Sequence, residues 1–208
     1  MKHELQNIIS GKSQVRYGDA IQAITSYLRR SKSTGIALES SKQIKIEEAK
    51  NIRQFCNQNN FWYTEVDITA FVSSGAEQKV YLHNEFQVFK LNDSIYYTSW
   101  EDYFNNLLLN NYFFQDTAYQ LVGFYESENV LYAVVEQAFI KSDQDTELEN
   151  VKKFLDENGF INTRNNDYFN PDLGIILEDL HDENVLTFQS NLYFIDTVFY
   201  ITEDFYKP

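Results

Sequence analysis

Apolar residues in the first sixty positions recur at spacings of three and four. Ile21, Ile24 and Leu28, flanked by Ala20 and Tyr27, form one helical stripe. Ile46, Ala49, Ile52 or Arg53, and Cys56 form a weaker second one, and the polar segment 31–43 separates the two. Arg29, Arg30 and Lys32 close the first helix, where cations offset the C-terminal dipole. From Phe61 onward, aromatic and β-branched residues come in short runs with turn residues between them, the mark of strands. Residues 80–82 and 86–91 predict a hairpin around His83-Asn84-Glu85, and 119–125 with 130–135 predict a second, turning at Ser127-Glu128-Asn129. Between the hairpins, Trp100, Tyr103, Phe104, Leu107 and Leu108 form a helical stripe. Ser99 opens it, with Asp102 as the acidic half of a capping box. Thr146 and Glu149 mark another helix start, Leu148, Val151, Phe154 and Leu155 its buried face, and Gly159 its end. A short strand, a polar loop and a strand pair (185–188 and 192–195) follow. The pattern predicts an α+β protein: a helical extension over 1–60, a strand-rich lobe with one inserted helix over 61–139, and a small mixed lobe over 140–208.

Composition narrows the functions open to this pattern. A chain of 208 residues suffices for one domain or two small lobes sharing a core, and 43% hydrophobic content excludes a disordered chain. No run approaches the roughly 20 apolar residues that span a bilayer. The N-terminus lacks both an apolar core and a small-residue cleavage site, so neither a membrane partner nor a secretory leader is expected. The net charge of −14 opposes a nucleic-acid surface, which works by replacing phosphate counterions with Lys and Arg. A nucleotide remains compatible, because one lysine and a metal ion neutralise a triphosphate locally. The single cysteine, Cys56, forms no internal disulfide, which fits a reducing cytoplasm, and its place on a helical stripe makes it a packing residue.

Gly11-Lys12-Ser13 resembles the end of a phosphate-binding loop, but Gln6 stands where that loop requires a glycine. The informative stretch is Asp179-Leu180-His181-Asp182-Glu183-Asn184-Val185-Leu186, which carries D-L-x-x-x-N, the core of a kinase catalytic loop. At that spacing the aspartate accepts the proton of an attacking hydroxyl while the asparagine reaches a magnesium ion. Asp196 lies twelve residues past Asn184, at the end of the apolar run Leu-Tyr-Phe-Ile, where a strand would present a metal carboxylate. Asp179 is therefore the candidate base, Asn184 and Asp196 are the candidate metal ligands, and His181 is a structural hydrogen-bonder.

Upstream, Ser73, Ser74, Gly75, Ala76, Glu77, Gln78 and Val80 lie over a glycine-rich phosphate loop, of which only the middle glycine and the valine are kept. Lys90 follows ten residues after Val80, between apolar strand residues, and is the candidate for the α- and β-phosphates. Its bland alternative is a lysine on the solvent face of an edge strand. Glu101 borders the Trp100, Phe104, Leu108 stripe and is the candidate carboxylate to hold that lysine. The alternative for Glu101 is simple complementarity to the helix N-terminus. Glu136, Gln137 and Ala138, at the exit of an apolar strand, are the candidate adenine connector.

In this order of elements the chain resembles the serine/threonine/tyrosine kinase-like domain found in polyvalent proteins of bacterial mobile elements. The resemblance rests on residues 75–81, Lys90-Leu-Asn-Asp, residues 178–186 and residues 195–200. It implies a protein-kinase-like fold with a strand-rich N-lobe and a truncated C-lobe. It also implies an ATP- and Mg2+-dependent phosphotransferase acting on a protein hydroxyl, in the cytoplasm, with a protein substrate or a partner that completes the small lobe. The Leu-His-x-x-Asn-Val-Leu stretch is also similar to aminoglycoside and choline kinases, which implies a small-molecule acceptor instead. Leu177 and Glu178 stand where a protein kinase has His and Arg, Thr197 and Val198 stand where it has Phe and Gly, and only twelve residues follow Asp196. These departures favour a third expectation, a pseudokinase that holds a nucleotide or serves only as an interaction surface.

Overall fold

The computed structural model describes residues 1–32, 41–75 and 78–207. Three helices open the chain: α1 (Lys2–Ile9), α2 (Gly18–Ser31) and α3 (Ser41–Asn59). The periodicity predicts only the last two. Helix α1 is too short to repeat a stripe, yet Leu5, Ile8 and Ile9 are buried. On α2 the predicted Ile21, Ile24 and Leu28 are buried, whereas on α3 the buried face is Ile52 and Cys56, and Ile46 is exposed. Of the polar segment 31–43, residues 33–40 lie outside the described residues.

A five-stranded antiparallel sheet follows, built from β1 (Phe71–Ser74), β2 (Gln78–Asn84), β3 (Gln87–Asn92), β4 (Gln120–Ser127) and β5 (Val130–Ala138) in the order β1-β2-β3-β5-β4. Helix α4 (Trp100–Phe113) joins β3 to β4. The β2–β3 hairpin turns at Glu85-Phe86, so that β2 ends two residues and β3 begins one residue later than predicted, because the Asn84 side chain organises the turn. Its Oδ1 accepts from the Phe86 N–H at 2.8 Å, and its Nδ2 donates to Gln87 at 2.8 Å. In the second hairpin Glu128 and Asn129 both take positive φ (52° and 65°), the twist a two-residue turn needs to match its strands. Ser99 caps α4 as predicted, its Oγ accepting from the Asp102 N–H at 3.0 Å and donating to the Asp102 carboxylate at 2.8 Å.

Beyond β5 come α5 (Leu148–Glu157), β6 (Ile161–Arg164), β7 (Asp167–Asn170), β8 (Ile175–Glu178), β9 (Val185–Phe188), β10 (Asn191–Phe194) and β11 (Val198–Ile201). Strands β9 and β10 pair as a hairpin, while β11-β8-β7-β6 form a four-stranded sheet that the sequence pattern does not predict. Each of those strands has only four residues, too few for an alternation to register. Helix α5 starts at Leu148 because the Thr146 hydroxyl lies 2.9 Å from that of Thr187 instead of capping the helix.

One apolar core runs from Leu5 and Ile8 through Trp100, Phe104 and Phe124 to Phe199 and Phe205. It therefore includes the opening helices, the large sheet and the C-terminal strands. A second cluster, Tyr81, Phe89, Leu91 and Val134, is covered by Tyr63 and Val66. The chain reaches that position by running alongside β4, with Tyr63 N donating to Phe124 O at 2.7 Å. Gly123 permits this approach, since a Cβ there would sit 2.9 Å from the Phe61 carbonyl oxygen. Among the described residues no helix is long and apolar enough to cross a membrane.

Candidate active site

A cleft of about 330 Å³ opens between β1–β3, the segment that leaves β5, and the β9–β10 hairpin. Of the residues singled out in the sequence, Ser73, Ser74, Gly75, Val80, Lys90, Gln137, Ala138, Asn184 and Asp196 line it. Three independent stretches of chain thus converge on one cavity. Ala76 and Glu77 lie outside the described residues. Gln78 meets the cleft from above, its Nε2 donating to Asp196 Oδ2 at 2.7 Å.

Lys90 is only 4% exposed, which removes the edge-strand alternative. Its Nζ donates to the Ile195 carbonyl at 2.7 Å, lies 3.8 Å from Asp196 Oδ2 and sits over the Tyr119 ring. Burial holds its pKa below the ordinary lysine value, with the Asp196 charge acting in the opposite direction. An ammonium this dry, with one half-exposed carboxylate for company, favours an anion in the cleft.

Asp179 stands just after β8 with φ of +67°, a conformation that aspartate tolerates better than most residues but that still carries strain. Leu180 beside it is buried and pins the loop. Asn184 organises the rest. Its Nδ2 donates to the Asp179 carbonyl and to Asp179 Oδ2, each at 2.9 Å. Its carbonyl accepts from the N–H groups of Ile195 (2.9 Å) and Asp196 (3.4 Å). One asparagine therefore joins the loop of Asp179 to the loop of Asp196. His181 Nε2 lies 3.2 Å from Asp179 Oδ1, so the histidine also serves the Asp179 carboxylate.

Asp179 does not line the cleft and meets it only at its edge, through Asn184, and two further expected members lie away from it. Glu101 is bonded to Arg29 (2.6 Å) and Lys32 (2.5 Å) of the opening helices and not to Lys90. Burial alone would raise the Glu101 carboxyl, but these two cations bring it below its usual value. The helical wheel gives the face of α4 on which Glu101 lies, but not which element covers that face. Glu136 is the second. It is still within β5, where alternate residues face opposite sides, and it lies 3.9 Å from His83 on the far side from Lys90. Because β5 runs to Ala138, the connector begins later, and Phe139 and Ile140 line the cleft in its place. Among the described residues the Ile140 N–H has no hydrogen-bond partner.

The sequence reading also missed Val72, Val88, Glu183, Leu186 and Ile195. Strand alternation could have found two of them, since Val88 lies two residues before Lys90 and Leu186 two after Asn184.

The donor set suits a divalent cation shared with a polyanion. The Asn184 amide nitrogen is committed to Asp179 and Asp196 Oδ2 to Gln78, which leaves Asn184 Oδ1 and Asp196 Oδ1 as oxygen donors. Among the described residues no three His, Cys, Asp or Glu side chains cluster, so no all-protein cage competes with this arrangement.

No curated protein and no solved structure matches the chain. A family does match, over residues 45–203, a span that contains every described residue of the cleft. The chain belongs to the serine/threonine/tyrosine kinases found in polyvalent proteins, a family of kinase-like phosphotransferases.

Proposed function

We propose that the protein transfers the γ-phosphoryl group of ATP, with Mg2+, to a hydroxyl acceptor on a protein. The observation that carries this reading is the meeting of Lys90, Asn184 and Asp196 in one cleft with Asp179 hydrogen-bonded to its edge. In this reading Val80 and Val88 above, with Leu186 and Ile195 below, make an apolar slot for a planar base. The backbone from Ala138 to Ile140 receives the base edge, and the Ile140 N–H is a donor for a ring nitrogen. The loop from Ser73 to Gln78 covers the phosphates. Lys90 turns from the Ile195 carbonyl to the α- and β-phosphates, its burial making the new anionic partner favourable. Asn184 and Asp196 hold the cation, which neutralises the phosphates and sets them in line. Asp179 accepts the acceptor hydroxyl's proton, held at the correct angle by Asn184 and His181.

The test combines binding and turnover. ATP with Mg2+ at about one hundred times its dissociation constant should stabilise the fold by roughly 2.7 kcal/mol in a thermal-shift measurement. Asp179→Asn should keep that shift and lower phosphoryl transfer roughly 10²–10⁴-fold. A shift without transfer in the wild type would favour a nucleotide-holding pseudokinase, and no shift would leave only an interaction surface. Labelled ATP offered with small hydroxylated amines and with protein acceptors separates the two acceptor classes.

A further inference from the structure

The displacement of Glu101 leaves a question about what α4 does for the site, and the hydrogen bonds of residues 194–199 answer it. Phe194 O accepts from Thr117 Oγ1 at 2.5 Å. Ile195 O accepts from both Lys90 and the Tyr119 hydroxyl, the latter at 2.8 Å. Asp196 Oδ2 accepts from Gln78. Thr197 Oγ1 donates to Asn110 Oδ1 at 2.9 Å, and Phe199 N donates to Asn106 Oδ1 at 2.8 Å. Every residue of the stretch except Val198 is thus held by a side chain from elsewhere in the fold.

Most of these holds lead back to α4. Asn106 and Asn110 project from it directly. Asn110 also donates to the Thr117 carbonyl at 3.2 Å, and Asn111 exchanges two bonds with the Tyr119 backbone at 2.7 and 2.8 Å. Thr117 and Tyr119 are the residues that grip Phe194 and Ile195. All three asparagines are buried, where an amide is poorly tolerated unless its partners are in place. Asparagine is also a weak helix former. Three of them on one helix oppose local stability, and the gain is geometric: a buried network whose members satisfy each other admits one arrangement.

We infer that the buried asparagines of α4, Asn106, Asn110 and Asn111, fix the position of Asp196 indirectly, through Thr197, Phe199, Thr117 and Tyr119. This inference rests on the reading of Asp196 as a cation ligand. It makes the asparagines the positioning residues of α4, the helix on which the sequence reading placed Glu101 as the partner of Lys90. The helix holds the carboxylate loop itself and not the lysine, so the loop is set before any ligand arrives.

Thr197→Val removes the hydroxyl that reaches Asn110 and keeps the side-chain volume. The readout is the gain in ATP affinity on adding Mg2+, measured by calorimetry with and without the metal. The variant should lose about tenfold of that gain, the scale of one buried hydrogen bond, with the metal-free affinity unchanged. Thr197→Ser should restore the gain. Amide hydrogen exchange in the ligand-free protein reads the same clamp without any nucleotide, and exchange across 194–199 should quicken roughly tenfold in Thr197→Val and stay the same in β2 and β3. A variant that melts earlier but keeps the full Mg2+-dependent gain has lost only stability, and that result overturns the inference. If Thr197→Val does not fold, Tyr119→Phe, which keeps the ring and removes the hydroxyl that bonds Ile195, must show the reduced gain, and an undiminished gain there overturns it equally. Quickened exchange at 194–199 in Thr197→Val, alongside a wild type that binds no Mg2+–ATP, would leave the clamp standing and refute the proposed function.

Discussion

Lys90 is a cation held where burial works against its charge. Because its folded pKa is depressed, it costs stability at every pH below that value, and the cost is relieved only as pH rises toward 10.5. Lys90→Met should therefore stabilise the protein at pH 7, by about 1 kcal/mol in chemical denaturation. The Ile195 carbonyl keeps the Tyr119 hydroxyl as donor, so no buried acceptor is orphaned. The same variant should bind ATP at least tenfold more weakly, and a variant that is both destabilised and still binds ATP would contradict this account. Lys90 and Asp196 were legible in the sequence because each is a charged residue in or at the end of an apolar run, an arrangement with a cost that needs a reason, and Asn184 was legible by its spacing from Asp179. Glu101 was not legible, since its partners Arg29 and Lys32 are some seventy residues away. Cys56 was read correctly as packing: burial pushes its thiol up to about 12, which removes the thiolate at neutral pH.

At the scale of elements, the long amphipathic pieces were predictable and the short ones were not. Helices α2 and α4 have enough turns to repeat their apolar stripes, and the two hairpins of the large sheet show turn residues between their apolar runs. The four-residue strands of the C-terminal sheet are held by their neighbours. The turn between β7 and β8 shows how closely. Gly174 has φ of +69°, and a Cβ there would lie 2.4 Å from the Phe205 backbone nitrogen and 2.7 Å from the Asp204 carbonyl carbon. Its own carbonyl accepts from the Thr202 N–H at 3.0 Å, tying the turn to the segment after β11. Gly174→Ala combines a left-handed conformation with a clash against backbone that cannot rotate away. It should cost roughly 2–4 kcal/mol in urea denaturation. A loss below about 0.5 kcal/mol would show that the C-terminal segment moves aside freely.

At the scale of the whole molecule, α2, α3 and α4 are joined by a charged network. Glu48 of α3 is buried, its Oε2 accepts from the Trp100 N–H at 2.7 Å, and its Oε1 lies 3.6 Å from Lys32, which also bonds Glu101. Burial raises the Glu48 carboxyl above its ordinary 4.5, with the Trp100 N–H and Lys32 acting in the opposite direction. The folded state therefore holds the proton more tightly than the unfolded one, so the charged form costs stability above the raised pKa and nothing below about 4.5. Glu48→Gln should be more stable than the wild type at pH 7, with the difference closing as pH falls to 4.5. Urea midpoints at the two pH values check this, and a difference that does not change with pH would rule it out. Glu101, with its lowered pKa, loses its contribution only below 4.5, so the two carboxyls report in separate windows.

The shared core bears on how such a domain can be exchanged between larger proteins. The family match begins at residue 45, four residues into α3, and ends before Phe205. A transplant cut at those limits would leave behind Leu5, Ile8, Ile21, Ile24 and Leu28, and with them the cover over Trp100, Leu107 and Leu108. It would also lose Phe205, whose carbonyl accepts from Gln6 at 2.6 Å and whose ring is fully buried. The recipient would inherit every described cleft residue, together with an α4 whose outer side had become a sticky patch. The portable unit is larger than the recognisable one: the cleft residues travel with the family signature, but α4, which is bonded to the Asp196 stretch, depends on sequence outside it.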